Sequence, residues 1–397
     1  MRKFLNCLII ICVLFLSACW DKVELEERAY VISIGIDKNE DDKDEEDDND
    51  ENDKNDKNDA KDEDGNDEDN KNDEDDKDEY VFLVSMAMPD LAQTGKDSGE
   101  EQVKTAIGRT IHSAIGSTDG FSGKKLYFGH TKLVVLNEEI LKNERLLRET
   151  IDAFERNDQI SGRAIVLSTQ SKAEKVLDTN PPAESMVGIF VSSFFRSGHN
   201  TAGAAFKQDL TGVIRDLRAK GSTVIPEIKL KGKELEIGGG ALISDFELEK
   251  WLTEDEMRGY LWTQNGKISG TVIEIESSDT FLPLKISKHK ARTTFSEADD
   301  VIICQIDIKA EGVLESFIFG ENPPELENLA KQYERLILDE VVKSDEAIDF
   351  FEFELFEQMR RRNNDLLSDF EAGKKDTKVK FSVEVKIVRT GNLIQQA

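Results

Sequence analysis

The apolar positions of this chain follow three rhythms. Residues 7–16 form an unbroken apolar run of ten. At ~1.5 Å per residue such a run makes roughly 15 Å of helix, about half the ~30 Å of a bilayer's hydrocarbon layer. Residues 30–37 and 80–88 are rich in β-branched and aromatic side chains and read as strands. Between them, residues 40–79 hold no apolar side chain larger than alanine. The simplest arrangement is a β-hairpin with a swollen loop, because closure entropy grows only logarithmically with loop length.

Beyond residue 100 the rhythm changes. Val103, Ile107, Ile111, Ala114 and Ile115 are spaced as on one face of a helix starting near Glu101. Residues 125–136 read as a strand broken at Gly129, and Ile140, Leu147, Ile151 and Phe154 predict one amphipathic helix over 138–156. A short buried strand is expected over 163–168, followed by a capping box at Ser171 and Glu174. The stretch 184–218 reads as helix with interruptions near Gly198 and Gly203. Short strands are expected over 235–237, 240–243 and 268–276, with a helix over 253–260. The last third reads as strands at 292–295 and 301–311, then helices over 324–342 and 345–369. From Val379 to Ile387 apolar and polar residues alternate, as in a strand with one buried and one wet face. Together these patterns predict an α+β protein, with mixed or antiparallel sheets packed with helices. Three domains are expected: 19–205 carrying the acidic insert, a β-rich 206–290, and an α+β 291–397.

Charge sharpens this picture. The chain carries a formal charge of -30, and the 25 Asp/Glu and 6 Lys of residues 40–79 supply -19 of it. Such a segment cannot bury enough surface to offset the entropy of ordering, so disorder is expected. Its sign argues against nucleic-acid binding there. An EF-hand needs acidic or amide ligands at its first and third positions, a glycine at the sixth and glutamate at the twelfth. Aligned on Gly65, this sequence puts Ala60 first and Lys71 twelfth. The match fails, which leaves weak, diffuse association with divalent cations. Of the four cysteines, Cys304 alternates with Ile306 and Ile308, so its thiol is expected to point inward and be inert.

Several common catalytic signatures are absent from the sequence, although acidic pairs are everywhere in a chain with 82 Asp/Glu. There is no phosphate-binding P-loop, no nucleophile elbow, no His-Glu-x-x-His and no Cys-x-x-Cys. The glycines at 238–240 precede a strand and read as a turn. The histidines lie apart, at 112, 130, 199 and 289, and His130 reads as a packed or hydrogen-bonded strand residue. Arg360, Arg361 and Arg362 read as a solvated helical face that could meet a headgroup or an acidic partner. No cofactor or metal is implied, and a non-enzymatic protein is expected.

The N-terminus combines Arg2 and Lys3, the short apolar run, and Leu16-Ser17-Ala18-Cys19. This is a signal-peptide pattern, and its end resembles the bacterial lipobox. There a cysteine takes a diacylglyceryl group and the chain is cut just before it, here between Ala18 and Cys19. Two acyl chains suffice for stable anchoring where one gives reversible binding. The sequence continues as Cys19-Trp20-Asp21, Glu24-Leu25, and a strand ending Gly35-Ile36-Asp37. Gly108-Arg109-Thr110-Ile111 and then Leu126-Tyr127-Phe128-Gly129-His130 follow, with Gly240-Ala241-Leu242-Ile243 further on. This series resembles the Ger(x)C lipoproteins, the C subunits of bacterial spore germinant receptors, across the whole mature chain. The acidic insert is a departure. So is the region 356–369, which lacks the tryptophans and proline that the family pattern has before its final strand.

The resemblance implies a three-domain α+β fold and a lipid-anchored, non-enzymatic subunit on the outer surface of the spore inner membrane. It implies work with integral-membrane A and B subunits in nutrient-triggered germination. Trp20, Asp21, Glu24, Leu25, Gly35, Asp37, Gly108, Thr110, Tyr127 and His130 carry over as motif positions. The alternative from another class is an extracytoplasmic ligand-binding lipoprotein feeding a transporter.

Overall fold

The computed structural model describes residues 28–39, 81–89, 101–118, 124–179, 181, 186–196, 203–277, 280–314, 325–371, 373 and 375–390. Cys19, Trp20, Asp21, Glu24, Leu25 and the segment 40–79 lie outside the described residues, and so do the expectations that fall on them.

The chain enters as β1 (Arg28–Tyr30) and β2 (Ser33–Lys38), and resumes as β3 (Phe82–Pro89). β2 and β3 pair antiparallel, with Ile34 opposite Met86 and Lys38 opposite Phe82. The expected hairpin flanking the acidic segment is therefore present. β4 (Glu101–Gly108) corrects the helix expected from Glu101: it is an edge strand paired with β3. A spacing of four residues, as from Val103 to Ile107, is even. It satisfies the strand period as well as the helix period, and pairing with β3 decides between them. The helix, α1 (Ile111–Ser117), starts only after Thr110.

The expected strand over 125–136 is two strands in different sheets. β5 (Lys125–Tyr127) pairs parallel with β1, and β6 (Leu133–Asn137) pairs parallel with β2. The expected helix 138–156 is likewise two. Asn137 caps α2 (Glu138–Leu141), and Asn143 leaves helical geometry to cap α3 (Glu144–Arg156). Then come β7 (Ile165–Thr169), α4 (Ala173–Leu177), α5 (Val187–Arg196), α6 (Leu210–Lys220), β8 (Thr223–Lys231), β9 (Glu234–Ser244) and β10 (Glu247–Leu252). Gly238–Gly240 is a bulge inside β9 rather than a turn. The register slips between Pro226 and Ile228 opposite it, and Gly239 takes the left-handed φ of 74° that glycine adopts without strain.

Eight of these strands form one mixed sheet, ordered β10-β9-β8-β7-β6-β2-β3-β4. One face packs Ile34, Ile36, Val134, Leu136 and Val166 against α1, α2, α3 and α6; the other packs Leu133, Val135 and Leu167 against α4 and α5. Each fully buried Leu, Ile or Val here contributes roughly 1.5–3 kcal/mol. α3 shows the pattern that holds it down: Leu147, Ile151 and Phe154 are buried on one side, while Arg148 and Glu144 pair on the other.

α7 (Glu254–Thr263) bridges to a second sheet of β11 (Val272–Ser277), β12 (Thr280–Ala298), β13 (Val301–Leu314) and β14 (Asp376–Thr390). β13 and β14 run parallel, so a long crossover must join them. It consists of α8 (Leu326–Ile348), one π-helical turn at Phe351–Leu355, α9 (Phe356–Arg362) and α10 (Asn364–Glu371). The expected helix over 345–369 starts late because α8 runs on to Ile348. Asp349 then turns left-handed at φ 52°, and Asp345 Oδ1 accepts from the Phe350 N–H. Cys304 lies buried in β13 as expected. Of the breaks expected after residues 205 and 290, the first falls within the span of the eight-stranded sheet. The second falls in the middle of β12.

Candidate functional site

Six of the motif positions lie among the described residues, and they fall into three pairs. Asp37 is the clearest. It is the penultimate residue of β2 and is 2 % exposed, and its two carboxylate oxygens accept from the backbone N–H groups of Ala173 (2.6 Å) and Glu174 (3.0 Å). Those are the first two residues of α4, whose preceding residue Lys172 provides no side-chain cap. The expected capping box at Ser171 does not form. The cap comes instead from a strand 136 residues away. Burial pushes the Asp37 carboxyl above its usual range, and the two N–H donors oppose that shift.

Gly35 serves the same contact. A Cβ there would lie 3.1 Å from Ala173 Cβ and 3.2 Å from Leu177 Cδ1, tighter than ordinary packing. Bare backbone at Gly35 lets α4 settle on β2, and Asp37 caps its end.

Gly108 and Thr110 repeat this logic at the β4–α1 junction. Thr110 Oγ1 accepts from Ser113 N (3.1 Å), and Ser113 Oγ accepts from Thr110 N (3.0 Å), a reciprocal capping box. A Cβ on Gly108 would stand 2.5 Å from Ala114 N and 2.6 Å from Ser113 Oγ. Strand and helix can turn this sharply only over a glycine.

Tyr127 and His130 join Tyr30 in a three-ring cluster, each pair of ring centroids 5.5 Å apart. The Arg28 guanidinium stands 5.0 Å from the Tyr127 ring centre. Such a contact is worth about 0.5–1 kcal/mol at an accessible site. His130 is exposed and lies in the turn between β5 and β6, which corrects its expected place within a strand. The cluster borders a cleft of about 400 Å³ lined by Arg28, Lys125, Tyr127, Asp158 and Gln159. The sequence pattern takes Tyr30 only as the start of a strand over 30–37, and it gives no role to Arg28. Their three-residue strand gives almost no periodic signal, and only its pairing with β5 brings them beside Tyr127.

Nothing in this arrangement assembles a nucleophile with a base. Among the described residues, no group of three or more His, Cys, Asp or Glu could hold a metal ion. Burial pushes the Cys304 thiol up to about 11, which keeps it protonated and unreactive near neutral pH.

Residues 71–230 match the family model described as "Spore germination protein N-terminal domain", and residues 238–391 match "Spore germination B3/ GerAC like, C-terminal". The chain belongs to the Ger(x)C family. Similar relatives include Spore germination protein KC of Bacillus subtilis, 23% identical over 343 residues, covering 79% of this chain and 75% of that one. Spore germination protein GerQC of Bacillus cereus is 25% identical over 264 residues, covering 60% and 68%. The crystal structure of the GerBC protein superposes with a TM-score of 0.52 at 16% identity, covering 77% of this chain and 93% of that chain. That likeness shows the Ger(x)C fold. The two family models meet at the β8–β9 hairpin, where Gly232 turns at φ 66°. The eight-stranded sheet of this Ger(x)C chain thus draws strands from both sides of the junction. No helix among the described residues is long and apolar enough to cross a membrane.

Proposed function

We propose that this chain is the lipid-anchored, non-enzymatic C subunit of a spore germinant receptor. In this reading residues 1–18 are a signal peptide and Cys19 carries a diacylglyceryl group. The mature chain then sits on the outer surface of the spore inner membrane and works with integral-membrane A and B subunits in nutrient-triggered germination. The observation that carries the reading is the run of two family models over residues 71–391, preceded in the same chain by Leu16-Ser17-Ala18-Cys19-Trp20-Asp21. The motif residues that are described act as caps and close packing contacts, which suits a subunit that works by holding shape and touching partners.

The test is Cys19→Ala in spores, with membrane fractionation and germination scored against a panel of nutrients. Loss of membrane association together with loss of one nutrient response is expected. Release of the protein with normal germination to every nutrient would overturn the receptor reading. It would turn attention to a ligand-binding lipoprotein of a transporter.

A further inference from the structure

β2, β6 and β7 are parallel neighbours, so all three start at the same end of the sheet. The first described residue, Arg28, also lies at that end, paired with Lys125. Arg28 is nine residues beyond Cys19, and nine extended residues span at most about 30 Å. Two adjoining clefts open there and share Gly129. The first is the one lined by Arg28, Lys125 and Tyr127; the second, of about 200 Å³, is lined by His130, Lys132, Arg163, Ser192 and Lys207.

The charge of this end runs against that of the molecule. Lys125, Lys132, Arg163 and Lys207 are exposed, and none of them pairs with an acidic side chain among the described residues. Asp158 is the one acidic residue among the described lining of either cleft. Some exposed cations elsewhere are matched, as Arg145 with Glu149, Arg156 with Asp152, Arg218 with Glu155, and Arg360 with Glu357, while Lys378, Lys380 and Lys386 of β14 are exposed and make no ion pair among the described residues. The acidic segment is joined at Asn39 and Val81, beyond the other end of β2. Six strand residues place that junction roughly 20 Å from the basic end. The rings of Tyr30, Tyr127 and His130 stand among the cations, and aromatic side chains with polar tips favour the headgroup layer.

We infer that the basic end of the N-terminal domain, with Lys125, Lys132, Arg163 and Lys207 around the Tyr30–Tyr127–His130 cluster, faces the bilayer and binds the anionic headgroups of its phospholipids. The inference rests on anchoring at Cys19, which brings this end within reach of the bilayer. Cations within a Debye length of an anionic surface, about 8 Å at physiological salt, are attracted to it. The domain is thereby oriented as well as tethered, and its other surfaces are presented to partners.

The experiment uses the full mature chain carrying Cys19→Ala, so that no acyl chain contributes. Its cosedimentation is measured with vesicles of phosphatidylcholine alone and of phosphatidylcholine mixed with phosphatidylglycerol, at low and physiological salt. Preference for the anionic vesicles, weakening with salt, is expected. Lys132→Glu together with Lys207→Glu should lower that affinity by about fivefold for each lysine removed, and more for the reversed charge. Arginine at both positions should preserve it. Lys233→Glu, an exposed lysine in the β8–β9 turn at the far end, should leave it unchanged. Equal binding to both vesicles, or equal loss from Lys233→Glu, overturns the inference. Failure of the anchor reading would show separately, as a wild-type Cys19 peptide without the mass of a lipid.

Discussion

Two buried titratable residues show what single side chains do here. Asp37 offers both carboxylate oxygens to the start of α4 and is out of contact with water. Asp37→Ala leaves two buried N–H groups without acceptors and should cost about 2 kcal/mol, within the range for a lost cap. Asp37→Asn keeps one acceptor and should cost about half that; urea unfolding of both variants tests the order. His289 is 5 % exposed, and its Nε2–H donates to the Trp262 carbonyl (2.9 Å), while Nδ1 has no partner. A proton on Nδ1 would be buried and unsatisfied. Burial accordingly pulls the imidazole down from 6.5 to about 4, against the smaller opposing effect of the Trp262 carbonyl. The unfolded chain takes up this proton below pH 6.5 and the folded chain does not. The stability is therefore present above pH 6.5 and is lost as pH falls toward 4, at about 1.4 kcal/mol per pH unit. Unfolding free energies measured between pH 6.5 and 5 should fall by about 2 kcal/mol from this source, and His289→Gln should remove that share of the slope.

Between elements, contact rather than propensity sets the geometry. α7 and α8 cross at Gly259, where a Cβ would run into the Glu340 carbonyl and lie 2.6 Å from Ser344 Cβ. The closeness lets Ser344 Oγ donate to the Glu256 carbonyl (2.7 Å). It also lets one Glu340 carboxylate accept from Arg258 Nε and Trp262 Nε1, both at 2.8 Å. Burial raises the Glu340 carboxyl, and Arg258 opposes that most strongly. Gly259→Ala gains about 1 kcal/mol of helix propensity but forces the helices apart. A net loss of about 1–2 kcal/mol is expected from overpacking in thermal unfolding. A gain in stability would show that the crossing yields easily. The strand at 101–108 teaches the same point. Its apolar spacing is compatible with a helix, and only β3 alongside it selects the extended form.

Across the whole molecule, two sheets share an α7 that packs against both, so the arms of the chain are not independent. Met257 and Leu261 of α7 lie in the same buried cluster as Leu242 of the first sheet and Ile306 of the second. The described residues that flank the acidic segment, Asn39 and Val81, are hydrogen-bonded to each other at 2.8 Å. Replacing 40–79 with a short turn should therefore keep the fold, with a melting temperature changed by less than about 2 °C. The formal charge would move from -30 toward -11. A fall of several degrees would show that the segment contributes to the folded core.

What the sequence by itself determined lies within a few residues of each position. The alternation from Val379 to Ile387 appears as β14 with exposed Lys378, Lys380 and Lys386 between its apolar residues. The two strands flanking the acidic run pair as read, and Cys304 turns inward. The family, too, was legible, and among the described motif residues Asp37 and Thr110 sit at helix caps and Gly35 and Gly108 at close contacts where only a few residue types work. What only the tertiary structure decided involves partners far apart in the chain. The sequence shows Gly35 and Asp37 but not that α4, 136 residues on, is what they receive. It shows His130 but not its stacking with Tyr30, and the lysines at 125, 132 and 207 but not that they meet at one end. Local periodicity and capping are properties of neighbouring backbone. Which helix meets which strand, and which charges share a surface, is settled by the sheet order, which no short stretch of sequence encodes.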